Sequence, residues 1–483
     1  MSLPGLSLPG LSMSAPPPAD MPPPSAPRLQ ELSPGAEYRF EVPFNSTLTV
    51  KLLNGTAECF GTELACNAKE PYLFRPGTKA AIYTWHGCRL QVEGDVESEY
   101  LAEETPMVEY ANVHFALEKL RDNAEHEGGG GGGGGGDKPI GPRVLVVGPE
   151  NAGKTSLVRL LAAYGVKMGR QPVVVNLDPR QGMLSPPGAL ATATFASVLD
   201  VEEGWGSSPI NGPSPVPVKM PLVYHFGLGS PDDNVRMFRG LVTRLALAVT
   251  SRLGEDEEAR KSGCLIDTPG VLSVDKKGVY ENIQHVASEF SVNVILVLGS
   301  ERLFSDLSRR FSRTGDDAVQ VVKLDKSGGC VDRDENYMKA LRQSQVRSYF
   351  FGHGYTTLSP HTHRVDFNSL HIYRTVDTSA SNPASSFLPG GGEADDAESG
   401  SGRLYERIKP SLMIQNGLLA ITNAEPSDSH ESIRDSSVLG YVYIADVDEA
   451  KQNVKLLAPL SGQIPRSAMI LGNWPEDVAG LVG

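Results

Sequence analysis

Residues Gly148-Pro149-Glu150-Asn151-Ala152-Gly153-Lys154-Thr155 form a GxxxxGK[ST] string. Its chemistry is specific. The glycines let the backbone curl so that successive N–H groups point inward at phosphate oxygens. Lys154 can then reach β- and γ-phosphates, and the Thr155 hydroxyl can join Mg²⁺. Asn151, Ala152, Gly153, Lys154, Thr155 and Ser156 are therefore the candidate nucleotide contacts. Two acids could complete the site: Asp178 ends PVVVNLD and Asp267 ends GCLID. An acid at the carboxyl end of a parallel strand faces the crevice where ligands bind, although Asp is also common as a helix cap. Thr155 with Asp178 is the expected metal pair. Asp267-Thr268-Pro269-Gly270 also fits a DxxG switch loop, but no Asn-Lys-x-Asp string follows to read guanine; the nearest is Lys323-Leu324-Asp325-Lys326.

The surrounding elements must hold that loop between a strand and a helix. RVLVV (143–147) precedes it and a helical pattern (154–164) follows. Further buried-strand runs lie at 172–178, 263–267, 292–298 and 318–324, with helical patterns at about 232–253, 279–290 and 333–349. Short apolar runs alternating with helices predict an α/β fold with a parallel sheet covered on both faces, here a P-loop NTPase domain over 140–352. Upstream, YRFEV, STLTVKLL and KAAIYTWHG are β-rich runs split by Asn54-Gly55 and Pro76-Gly77. They predict an N-terminal β-sandwich-like domain over 29–115. Residues 116–139 read as a helix and then a linker of nine consecutive glycines, Gly128 to Gly136, because glycine loses most backbone entropy on ordering. A C-terminal β-rich domain is expected over 353–483. The Pro-rich stretch 1–28 and the low-complexity stretch 378–402 read as disordered. The Pro/Gly-rich insertion 207–218 and the acidic run Glu255 to Glu258 read as solvated loops.

Composition narrows the function classes. Of 483 residues, 40% are hydrophobic and 21% charged, which supports large cores. With 44 Lys and Arg against 58 Asp and Glu, the net charge is −14. Such a chain is not a general phosphate-backbone binder; RNA contact is expected locally or through a partner. Five scattered cysteines without a CxxC pair argue against a zinc site or a disulfide framework and fit a reducing compartment. No apolar run is long enough for a membrane span, and the N-terminus lacks the pattern of a secretory signal.

The ordered set AEYRFEV (36–42), GTELA (61–65), TWHG (84–87), GPENAGKTS (148–156), NLDPRQG (176–182), PLVYHFG (221–227), SERL (300–303) and KSGG (326–329) resembles the polynucleotide 5′-hydroxyl kinase family. Within that family it is most similar to the branch that serves as ATP-binding subunit of fungal pre-mRNA cleavage factor IA. The resemblance implies ATP with Mg²⁺, nuclear residence, and a role in cleavage and polyadenylation. The implied partners are the scaffold subunit that binds the RNA polymerase II tail and the other cleavage-factor subunits, with RNA met mainly through the complex. It implies that Glu37 and Lys79 contact the nucleotide, where the residues alone read as a strand-edge acid and a solvated turn charge. Active kinases of the family use a D-x-G-Q string, a T-x-G-W clasp and lid arginines. Here the first reads Asp178-Pro179-Arg180-Gln181 and the second Thr268-Pro269-Gly270-Val271. Valine has no π-face, so base stacking of roughly 1–3 kcal/mol is missing. Asp178, Gln181, Arg302 and Arg309, with Arg310 and Arg313, would be the catalytic set of an active kinase; the arginines alone read as a basic solvated helix face. Three readings follow: a cleavage-factor subunit with ATP mainly structural, an active RNA kinase, and a nucleotide switch built on the DTPG loop.

Overall fold

A computed structural model describes residues 26–129, 139–202, 221–275, 278–311, 318–353, 356–379 and 404–481. The readings of residues 1–25, 130–136, 207–218, 380–402 and Arg313 fall outside the described residues. The N-terminal strands are β1 (Arg28–Leu32), β2 (Glu37–Glu41), β3 (Leu48–Gly55), β4 (Glu58–Cys59), β5 (Thr62–Glu63), β6 (Tyr72–Phe74), β7 (Lys79–Tyr83), β8 (Cys88–Gly94) and β9 (Ser98–Ala102). They form two antiparallel sheets, ordered β1-β8-β3-β6 and β5-β4-β7-β2-β9. Alternating apolar residues close a core between the sheets around Tyr38, Phe40, Val50, Phe74, Ile82 and Leu90, as two packed sheets require. The helix α1 (Met107–Gly129) starts before the expected helical stretch and runs into the first glycines of the linker. It packs on the next unit through Leu117 and the buried Arg121, which donates to the Ser262 carbonyl (3.0 Å).

The central unit contains β10 (Arg143–Val147), α2 (Lys154–Lys167), β11 (Val173–Asn176), β12 (Ala189–Thr194), β13 (Leu222–His225), α3 (Val235–Glu255), α4 (Glu257–Ser262), β14 (Cys264–Asp267), α5 (Glu281–Glu289), β15 (Val294–Leu298), α6 (Glu301–Phe311), β16 (Gln320–Leu324) and α7 (Glu335–Phe351). Its sheet runs β13-β12-β11-β14-β10-β15-β16. The five strands from β11 to β16 are parallel; β12 and β13 add antiparallel at one edge. Alternation along β10 explains the layering: Val144 and Val146 face the core under α2, while Leu145 and Val147 face the core under α3 and α5. Each such buried side chain stabilises by roughly 1.5–3 kcal/mol. The acidic run reads differently in three dimensions. Asp256 caps α4 by accepting from the Glu258 and Ala259 amides (both 3.1 Å), and Glu257 and Glu258 lie in its first turn. There they complement the positive end of the helix dipole.

Beyond α7 lie β17 (Gly352–His353), β18 (Thr356–Thr357), β19 (His361–Asp366), β20 (His371–Thr375), β21 (Tyr405–Ile408), β22 (Leu418–Thr422), the short α8 (His430–Arg434), β23 (Val438–Asp448), β24 (Asn453–Ala458) and β25 (Ala468–Leu471). Seven of these strands pair in the order β19-β24-β23-β22-β25-β20-β21. One face of that sheet closes its own core around Ile372, Val442 and Leu456. The other sends Tyr373, Tyr405, Tyr441 and Tyr443 into the core of the central unit, so the two share buried apolar surface.

Candidate nucleotide site

Register brings the chemistry together. Asp267 is level with Val146 of β10 and Asn176 of β11, so the phosphate loop, Asp178 and Asp267 leave the sheet at one edge. The loop enters α2 through Gly153, whose left-handed φ of 89° and contact with Cys330 (a Cβ would lie 2.7 Å from its Sγ) exclude larger residues. Among the described residues a cleft of about 420 Å³ opens over this loop, a size typical of ligand pockets. Its walls come from two units. The central unit supplies Asn151 to Ser156, Asp178, Gln181 and Thr268 to Val271; the N-terminal unit supplies Glu37, Arg39, Lys79 and Tyr100.

Lys154 is buried and donates to the Pro149 carbonyl (2.7 Å). Burial pulls its ammonium below the usual lysine range, with Asp267 and Asp178 opposing. Thr155 Oγ1 donates to Asp267 Oδ2 (2.6 Å), while Asp267 Oδ1 is buried without a hydrogen-bond partner among the described residues. Burial pushes the Asp267 carboxyl up to about 6, against the Thr155 hydroxyl and Lys154. Asp178 is differently engaged. Its Oδ1 accepts the Arg180 amide (2.9 Å) and its Oδ2 accepts Gln181 Nε2 (2.9 Å). Burial raises this carboxyl too. The acid that the structure sets on Thr155 is thus Asp267, and Asp178 organises its own turn.

Glu37 is buried, accepting from Arg39 Nε (2.7 Å) and Thr105 Oγ1. Lys79 pairs with Glu41 and stands over the Tyr337 ring (4.9 Å), whose hydroxyl donates to the Gly77 carbonyl (2.6 Å). Neither residue is a free surface charge; both line the cleft. Arg302, Arg309 and Arg310 are elsewhere, on α6. Arg302 and Arg309 pair with Asp306 and Arg310 donates to the Gly278 carbonyl; none lines the cleft. Sequence reasoning missed Arg333. Its guanidinium donates to Asn151 Oδ1 (3.0 Å) and Gln181 Oε1 (3.1 Å), both neutral oxygens, so its charge remains directed at the cleft it lines. The available signal was its place at the very start of the predicted helix at 333–349.

Comparison with known proteins agrees with this geometry. Residues 148–352 match the family model of the mRNA cleavage and polyadenylation factor CLP1 P-loop. Residues 31–124 match the N-terminal beta-sandwich domain of polyadenylation factor, and 358–476 the pre-mRNA cleavage complex II protein Clp1. The chain is 55% identical to the mRNA cleavage and polyadenylation factor CLP1 of Phaeosphaeria nodorum and 51% identical to that of Botryotinia fuckeliana, over 100% of each chain. It also superposes, at 27% identity, on a chain from a structure of the extended interface between Pcf11p and Clp1p that addresses ATP loss in a point mutant (TM-score 0.78; 93% of this chain and 98% of that one). A wild-type Clp1p–Pcf11p complex gives a TM-score of 0.77 over 93% and 97%. By these matches along its length, and by the phosphate loop they contain, the chain belongs to the CLP1 family of mRNA cleavage and polyadenylation factors.

Proposed function

We propose that this protein is the ATP-binding subunit of a nuclear pre-mRNA cleavage factor, required for the cleavage and polyadenylation that form mRNA 3′ ends, and that ATP serves chiefly as a structural ligand. The observation that carries this reading is the shared wall of the cleft. Lys154 and Thr155 come from the central unit, Glu37 and Lys79 from the N-terminal unit. A nucleotide gripped by both fixes their relation and so completes a composite surface for a partner. The likeness to Clp1p–Pcf11p complexes supports a scaffold subunit as that partner, with RNA met mainly through the complex. Thr155 and the unpartnered Oδ1 of Asp267 suit Mg²⁺, which takes one or two protein oxygens and fills its shell with water and phosphate. The ion would neutralise charge between the β- and γ-phosphates.

The test is transfer chemistry. Purified protein is incubated with γ-labelled ATP and a 5′-hydroxyl RNA; the expected result is ATP retained and no labelled RNA. Robust phosphorylation abolished by Lys154→Ala would overturn the reading in favour of an active polynucleotide 5′-hydroxyl kinase. Asp178 bonded to Gln181, with Arg333 beside them, is the observation on that side. Val271 in the cleft wall, with no ring to stack a terminal base, stands against it.

A further inference from the structure

Arg180 stands where the resemblance calls for glycine, and the structure shows what its side chain does. Its Nη1 pairs with Glu150 of the phosphate loop (3.1 Å) and its Nη2 with Glu335 in the first turn of α7 (2.8 Å). All three residues line the cleft. On one side the bridge runs into the Thr268–Val271 turn. Gly270 lies so close to Glu150 that a Cβ there would sit 2.5 Å from its Cγ. On the other side it is braced from behind. Arg342 pairs with Glu335 (2.6 Å) and with Glu476, and it lies 4.2 Å over the Trp474 ring, which Arg180 approaches at 5.9 Å. A continuous bar therefore crosses the mouth of the cleft, from the clasp turn through the phosphate loop to α7 and the C-terminal unit.

We infer that Arg180 bars a polyanionic hydroxyl acceptor from the terminal phosphate, making this a site for a nucleotide alone. The inference rests on the nucleotide reading above and gives it a specificity determinant. On the nucleotide reading, Lys154 and Thr155 hold the terminal phosphates, and Glu150 of the same loop, with Arg180 and Glu335, forms the cleft wall beside them. An acceptor must approach phosphorus in line with the leaving oxygen, which is past that wall. Two properties of the bar oppose it. The bridging guanidinium fills the path, held at both ends. Glu150 and Glu335, which line the cleft with their carboxylates more than half exposed, repel an approaching phosphate backbone.

The sign of the charge makes the test sharp. Arg180→Gly alone opens the path but uncovers two acids; Arg180→Gly with Glu150→Gln removes both obstacles. Binding of a 3′-labelled 5′-hydroxyl ribo-oligonucleotide to ATP-loaded protein is measured by fluorescence anisotropy at fixed low salt. The expected order is wild type weakest, the single variant intermediate, and the double variant tighter than wild type by about tenfold or more. Glu335→Gln, which releases the other end of the bridge and keeps Arg180, should also bind the oligonucleotide more tightly than wild type. Melting temperatures of the variants confirm folding. Affinities of all variants within twofold of wild type (about 0.4 kcal/mol) would overturn the inference. ATP retention separates its failure from that of the parent reading. If wild type holds ATP and Lys154→Ala loses it, yet the open variants gain no RNA, the bar alone is wrong. If wild type holds no ATP, the nucleotide reading falls with it.

Discussion

At the residue scale the site combines groups whose charges are affordable only together. Lys154 and Asp267 are both buried, and burial penalises the charged form of each. A phosphate chain in the cleft would replace the Pro149 carbonyl as partner of the ammonium with a stronger, charge-assisted bond. Lys154→Ala is expected to weaken ATP binding at least about 100-fold, close to 3 kcal/mol, by titration calorimetry, with little change in the melting temperature of the nucleotide-free protein. A second residue gives a pH dependence. His225 is buried against the Tyr441 ring (5.7 Å), and neither ring nitrogen has a hydrogen-bond partner among the described residues. Burial pulls its imidazolium down to about 3. The unfolded chain protonates this side chain near 6.5, so below that pH the unfolded state binds a proton the native state refuses. Stability contributed by His225 is full above 6.5 and falls with pH by roughly 1.4 kcal/mol per unit until about 3. Urea unfolding at pH 7.5 and 5.5 checks this: His225→Phe should lose about 1.4 kcal/mol less than wild type between the two.

At the element scale α7 connects the parts. Arg333, just before it, holds Asn151 and Gln181. Asp334 caps it by accepting from the Tyr337 amide (2.7 Å). Tyr337 reaches the N-terminal unit at Gly77, and Arg342 and Tyr349 reach the C-terminal unit at Glu476 and the Tyr441 amide. Asp334→Ala should therefore cost about 1 kcal/mol of cap, read as a lowered melting temperature. It should also loosen ATP binding, because Arg333 loses its seat. Tyr337→Phe deletes only the bond to Gly77, and about 1 kcal/mol of net hydrogen bond should appear as weaker coupling between the N-terminal unit and ATP. Hydrogen exchange at β7 in the ATP-loaded protein is the readout. The helical spacing at 333–349 announced this helix. It did not announce that consecutive turns face three different units, since periodicity reports which face is apolar and not what lies across from it.

At the scale of the whole molecule, a ligand that binds a cleft walled by two units, and not the unfolded chain, adds stability by mass action. ATP at a thousandfold over its dissociation constant should raise the unfolding free energy by about 4 kcal/mol. The same addition should protect the N-terminal sheets from proteolysis, and both effects should vanish in Lys154→Ala. Some of this molecule is local and therefore legible in its residues. The strand, glycine-rich loop and helix around Lys154 are contiguous, and their patterns of apolar residues and glycines are enough to predict a phosphate cradle. The parallel core strands announced themselves as apolar runs, but β12 (ALATAT) did not, because its alanines carry little β-strand signal, and β13 (LVYH) is only four residues long. Partners distant in sequence were decided by tertiary structure alone. Thr155 meets Asp267 and not Asp178; Arg333 and not Arg309 enters the cleft; Arg180 finds acids 30 residues before it and 155 after. Side-chain hydrogen bonds and ion pairs act over a few ångströms, and only the packed sheets and helices determine which residues come that close.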